Sequence, residues 1–339
     1  MMKTKQIIGI VITGAVIIAV GVTGALTNAV SRKVAEKQAE GTKSIFTQMV
    51  KDQLDSKIEL PQEDFIGVMN IEGEIGASSS SSWTSKSGYN HDMYMSYVDQ
   101  MGKSDYNKGI LLYVDSPGGA VYQTDEMYLK LMEYKEKTGR PIWAYFANQA
   151  CSGGYYMAMA ADKIYANRNC WTGSIGVIVS LMNCKDLYDK IGLKEIDITS
   201  GANKSMGSAG LDLTDEQYDI LQSLVDESYD QFVEIVCNGR KLDNSTVRKL
   251  ADGRIYSAKQ AKDKGLIAEI GSLEEEKEMF ASEAGFAKDI TYFTPDDTVS
   301  DFMKGLLGVA ENLTPKSETD LAKDIIENKG NGVLKYYAE

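Results

Sequence analysis

The chain has 339 residues, 43% hydrophobic and 25% charged, which is enough apolar material for one large domain or two modest ones. Its formal net charge of -13, with 36 Lys and Arg against 49 Asp and Glu, excludes a general nucleic-acid binder, because phosphate contacts need clustered basic residues and no such block occurs. His91 is the only histidine, and the four cysteines form no CxxC pair, which argues against a zinc site.

Residues 1–6 are a short head carrying Lys3 and Lys5. From Ile7 to Thr27 the chain runs 21 residues without a charge, and Arg32, Lys33 and Lys37 follow. At about 1.5 Å per residue this crosses roughly 30 Å of hydrocarbon, so residues 7–29 read as a single-pass membrane anchor. A secretory signal has a shorter apolar core, and Thr27-Asn28-Ala29 fits an Ala-x-Ala-like cleavage site poorly, so the anchor is expected to stay attached. Basic residues flank the span on both sides, so the positive-inside rule does not set its orientation. The short head places the bulk of the chain on the extracytoplasmic side.

Residues 30–60 read as a stalk or amphipathic helix, with Ile45, Met49, Val50 and Leu54 at helical spacing. Residues 61–285 hold the alternating pattern of a catalytic domain. Phe65 to Ile71 is a buried strand, and Gly73 opens a loop with a serine run at Ser78 to Ser82. His91 ends that loop as a loop or helix-cap residue, before an apolar-periodic stretch from Met93 to Met101. Ile110 to Val114 predicts a strand, Asp115 to Gly119 a turn, and Tyr122 to Lys137 a helix. Pro141 to Phe146 predicts another strand, followed by Ser152 and a small-residue helix from Gly153 to Ala161. Lys163 to Ala166, Ile175 to Leu181 and Glu195 to Thr199 predict further strands, with a helix over Cys184 to Lys190. Thr214-Asp215-Glu216-Gln217 has the form of a capping box, opening a long helix that should stop near Gly239. In the C-terminal extension, 286–339, a strand over Ile290 to Phe293 and a short helix near Phe302 are expected, then a tail with no core of its own. Strands alternating with helices imply an α/β fold with a largely parallel sheet.

Two glycine-marked turns follow two successive strands: Asp115-Ser116-Pro117-Gly118-Gly119 and Cys151-Ser152-Gly153-Gly154. Glycine lets backbone amides approach a ligand closely, so both turns can donate to one oxyanion. The expected donors are Gly153, just after a Ser152 nucleophile, and Gly119 or Gly118 from the other turn. A serine hydroxyl must pass its proton to a base as it attacks. With imidazole so scarce, a lysine is the natural candidate, since burial lowers a lysine's pKa toward neutrality. Lys204 lies 52 residues beyond Ser152. Cys151 has a rival reading as nucleophile, and the packing reading, a small buried apolar side chain, applies to each cysteine. If the cysteines pair as disulfides, three pairings are open.

Further segments join these turns: Ala161-Asp162-Lys163-Ile164, Thr172-Gly173-Ser174-Ile175-Gly176-Val177, Ser200-Gly201-Ala202-Asn203-Lys204 and Asp252-Gly253-Arg254-Ile255-Tyr256. In this order, over roughly residues 65–280, the chain resembles the signal peptide peptidase A (protease IV) family in its short form with one catalytic domain. The resemblance implies a Clp protease/crotonase-like fold of repeated ββα units and a membrane-anchored serine peptidase that degrades cleaved signal peptides. It assigns Ser152 as nucleophile, Lys204 as general base, Ser174 as the hydroxyl that orients the lysine, and Gly119 and Gly153 as oxyanion donors. It implies no metal and no cofactor, unfolded peptides as substrates, and a ring-shaped homo-oligomer. Two other readings share the fold: a crotonase-like acyl-CoA enzyme, disfavoured by an extracytoplasmic site with little access to CoA, and a catalytically silent scaffold.

Overall fold

A computed structural model describes residues 58–76 and 88–295 and the backbone of 335–337. The anchor at 7–29, the helix near Phe302 and all of the stalk but residues 58–60, which are not helical, lie outside the described residues. Among the described residues no helix is long and apolar enough to cross a membrane.

The apolar runs become a sheet because each is long enough to be buried on both faces. β1 (Phe65–Glu72), β2 (Asn107–Ser116) and β4 (Ile142–Cys151) form its parallel centre. Between them stand α1 (His91–Lys103), the short β3 (Gly118–Ala120) and α2 (Val121–Thr138). After β4 come α3 (Gly153–Met157) with a 3-10 turn, β5 (Lys163–Ala166), β6 (Trp171–Gly173), α4 (Lys185–Ile191) and α5 (Asp215–Arg240). The described chain is completed by α6 (Asn244–Leu250), β7 (Ile255–Ser257), α7 (Ala258–Asp263), β8 (Glu269–Ile270), α8 (Leu273–Glu283), β9 (Thr291–Phe293) and β10 (Lys335–Tyr337). The main sheet runs β7-β6-β4-β2-β1-β9, with β5 beside the first half of β4 and β8 beside β5. Every pairing in it is parallel except β6 with β7. This mixed α/β layout with its largely parallel sheet fits a Clp protease-like fold.

Several expectations change. Ile175 to Leu181 is not a strand, because Gly173 and Ser174 both take positive φ (84° and 48°) and turn the backbone out of the sheet. Glu195 to Thr199 is not one either. Its alternating Ile196 and Ile198 are 80% and 99% exposed and pair with no strand among the described residues. The capping box at Thr214 forms as read, and α5 runs to Arg240, in keeping with a stop near Gly239, with the N–H of its C-cap Lys241 donating to Cys237 O. A Cβ at Gly239 would lie 2.9 Å from Met159 Cβ, so this glycine serves close helix packing rather than termination. The tail is not wholly without structure, since β10 pairs with β3.

On the face under α8, Trp143 stacks between Phe280 (centroids 4.9 Å) and Tyr165 (5.7 Å). Glu276 is fully buried near these rings, and neither carboxylate oxygen has a partner in the described structure. Burial pushes its pKa well above the ordinary carboxylate value of 4.5. The folded chain therefore holds this proton more tightly than the unfolded chain. As pH rises above about 4.5 the unfolded chain ionises first, and stability falls until the folded-state pKa is reached. Glu276→Met removes this term: the melting temperature of the variant relative to wild type should increase between about pH 5 and pH 8. Parallel pH profiles for the two proteins would show that Glu276 is not held neutral.

Candidate active site

At the C-terminal end of β2 the chain must turn without losing its backbone partners, and Ser116 supplies them. Its buried hydroxyl donates to Gly73 O (2.6 Å) and accepts from Gly118 N–H (3.1 Å). Ile75 N–H donates to Gly118 O (2.8 Å) and Ala120 N–H donates to Ile75 O (2.7 Å), so the segment after β1 runs along one edge of β3. The contact is tight: a Cβ at Gly119 would sit 1.9 Å from Ile75 O. Only glycine fits there.

The second turn meets the first. A Cβ at Gly153 would lie 2.8 Å from Thr124 Oγ1, 3.2 Å from Gly119 N and 3.4 Å from Gly118 Cα. One at Gly154 would press on Val114 and Ser116 at 3.2 and 3.3 Å. Thr124 sits between the turns, its hydroxyl donating to Ala120 O (2.8 Å). The two glycine turns read separately in the sequence are thus one structure. Gly118 N–H is already taken by Ser116, which leaves Gly119 as the better donor.

Ser152 joins β4 to α3 with φ 51° and ψ -115°, a conformation that costs a non-glycine residue on the order of 1–3 kcal/mol. It is held by Ser152 N–H to Gly173 O (2.8 Å) and Tyr156 N–H to Ser152 O (2.9 Å). Its Oγ is buried and has no hydrogen-bond partner among the described residues. Cys151 pairs in register with Gly173, so Ser174 stands beside Ser152 at the ends of adjacent strands. Ser174 also has positive φ, and its N–H donates to Arg254 O (2.8 Å). Among the described residues only Lys241, a helix cap, is a third non-glycine with positive φ. Thr172 Oγ1 donates to Ala150 O (2.7 Å) and ties the two strands together just below the site.

Lys204 is exposed in the turn region after Ser200, its N–H donating to Gly201 O (3.1 Å). Within one chain it does not reach the Ser152 hydroxyl. His91 is buried at the start of α1, behind its N-cap Asn90. Its Nε2 lies 2.8 Å from Glu126 Oε2 and its Nδ1 2.8 Å from Tyr89 OH, so it ties α1 to α2. The hydrogen bond from His91 keeps the Glu126 carboxyl below the usual carboxylate range. Cys151 is a buried thiol whose pKa burial pushes to about 12, and it points to Trp171 O (3.6 Å), which disfavours it as nucleophile. All four cysteines are free. No cluster of metal-ligating side chains occurs among the described residues.

Residues 134–286, which include Ser152, Ser174 and Lys204, match peptidase family S49. A signal peptide peptidase SppA of Enterococcus faecium is 35% identical over 244 residues, 72% of this chain and 68% of that protein. The chain belongs to the signal peptide peptidase A family. Protease 4 of Haemophilus influenzae is 36% identical over 168 residues, 50% of this chain and 27% of its own. The chloroplastic serine protease SPPA of Arabidopsis thaliana is 28% identical over 211 residues, 62% and 31% respectively. The chain thus spans about a third or less of the length of these last two relatives. Membership makes it a serine peptidase.

Sequence reasoning missed Ser116, Thr124, Thr172 and Ile75 as supports. Ile75 comes from more than 40 residues upstream of Gly119, and no spacing rule connects them. Gly153→Ala should lower kcat about 10²-fold with far-UV circular dichroism unchanged, because the added methyl pushes the two turns apart without altering either strand. Wild-type kcat in this variant would separate the turns from catalysis.

Proposed function

We propose that this chain is a membrane-anchored serine endopeptidase that degrades cleaved signal peptides and other membrane-associated peptides by a Ser152/Lys204 dyad. The observation that carries the site is the buried, unpartnered Ser152 hydroxyl on a strained turn beside Gly119 and Gly153. Ser152 attacks the peptide carbonyl as Lys204 takes its proton. The developing oxyanion is held by Gly119 and Gly153 N–H, and Ser174 orients the lysine amine. Water activated by Lys204 then hydrolyses the acyl-enzyme. The anchor at 7–29 supplies the membrane and the extracytoplasmic placement.

Lys204 enters from a second copy of this chain. The segment bearing it exposes Ile178, Met182, Leu187, Ile191, Ile196 and Ile198, an apolar surface that a soluble monomer does not keep open. Ser152 Oγ has no base within hydrogen-bond reach among the described residues, so one contact covers that surface and completes the dyad. A closed ring of such contacts is the arrangement the reading favours.

Ser152→Ala and Lys204→Ala should each abolish cleavage of a signal-peptide substrate, as followed by mass spectrometry. Co-assembled at equal amounts, they should recover roughly a quarter of wild-type turnover, because sites with Ser152 from one copy and Lys204 from the next are restored. No recovery in mixed assemblies would place both groups in one chain. Retained turnover by Lys204→Ala alone would remove the lysine from the mechanism.

A further inference from the structure

Over residues 215–231 the helix α5 is exposed or half-buried at every position but Gln217, which is buried. A buried polar side chain has to be hydrogen-bonded, and Gln217 uses both ends of its amide. Its Oε1 accepts from Thr214 N–H (3.2 Å), which is one half of the capping box. Its Nε2 donates to Ala202 O (3.3 Å). The neighbouring Glu216 accepts at Oε1 from Asn203 Nδ2 (3.3 Å). Ala202 and Asn203 are the central residues of a turn closed by Lys204 N–H to Gly201 O (3.1 Å). The first turn of α5 therefore holds the middle of the turn that carries Lys204.

The helix is itself fixed. Phe232, Val233, Ile235 and Val236 are buried in its later turns. Gln231 Nε2 donates to Asp125 Oδ1 on α2 (2.9 Å) and to Tyr156 OH (2.8 Å), and Tyr156, on α3 one turn after Ser152, donates to the same Asp125 oxygen (2.5 Å). One helix thus ties the lysine turn to the core behind Ser152.

We propose that Gln217 is a positioning residue for Lys204: its side-chain N–H clamps the turn at 201–204 to α5 and sets where the lysine stands when it reaches Ser152 of the next copy. This rests on the reading in which Lys204 is the base and comes from a second copy. A base that crosses between two copies is aimed by its own backbone turn. Misplacing a reacting group by about 1 Å can cost on the order of 10²-fold in rate.

Gln217→Glu isolates the clamp, because glutamate also closes a capping box but has no N–H for Ala202 O. In the full chain kcat should fall about tenfold, with KM and melting temperature near wild type. Gln217→Met removes both ends of the amide, so it should lose the same activity and also melt lower. Mixed assemblies separate positioning from folding. In equal mixtures of Ser152→Ala and Lys204→Ala chains, Gln217→Glu on the Ser152→Ala copy, which donates the lysine, should lower the recovered turnover about tenfold. On the Lys204→Ala copy, which donates the serine, it should leave the recovered turnover unchanged. Wild-type kcat in Gln217→Glu, or an equal loss whichever copy carries it, would overturn the clamp. A tenfold loss of kcat in the uniform assembly, with no recovery in any mixture, would uphold the clamp and overturn the two-copy reading.

Discussion

The site depends on one steric constraint, the close approach of three backbones at the C-terminal ends of β1, β2 and β4. Gly119 lies against Ile75 so closely that a methyl group would fall 1.9 Å from a carbonyl oxygen, and Gly153 closes on Gly119 from the other side. Neither contact tolerates a side chain. Both position a main-chain amide, and backbone amides fixed in this way need little reorganisation when charge develops on a substrate. The serine is placed by the same geometry, since Ser152 sits on the residue between β4 and Gly153. Its positive φ is maintained by hydrogen bonds on both of its peptide groups.

Ser174 shows how far this constraint reaches. It takes a positive φ one residue beyond a register pair with β4, and β6 ends there instead of continuing to Leu181. The strained pair Ser152 and Ser174 is side by side because Thr172 and Gly173 hold β6 against β4. A Cβ at Gly173 would meet Tyr256 at 2.5 Å, which fixes the turn by packing as well as by hydrogen bonds. Strain of this kind persists only where the surroundings over-determine it.

The elements that bury one continuous face were legible in the sequence. Phe65 to Ile71, Tyr122 to Lys137 and the capping box at Thr214 agree with the structure to within a few residues, because local periodicity and capping chemistry suffice for them. The strand expected at Glu195 to Thr199 failed for a physical reason: its alternating isoleucines have the pattern of a strand but no partner among the described residues. The order of the motifs pointed to Ser152 and to both glycine turns. It gave no sign of Ile75 or Thr124, whose roles depend on contacts between segments far apart in the chain, nor of a strand near the C-terminus. Lys204 is a different case, a residue singled out by sequence that one copy of the chain leaves exposed. In the proposed assembly, its exposure and the apolar surface around it have one common explanation.

The central claim is that the two glycine turns form one oxyanion site for Ser152. The most direct measurement is a structure of the full chain after reaction with a serine-directed phosphonate. The account predicts a phosphonyl group on Ser152 Oγ, with one phosphoryl oxygen about 2.7–3.1 Å from both Gly119 N and Gly153 N. An adduct on another residue, or a phosphoryl oxygen on Ser152 turned away from these two amides, would contradict it.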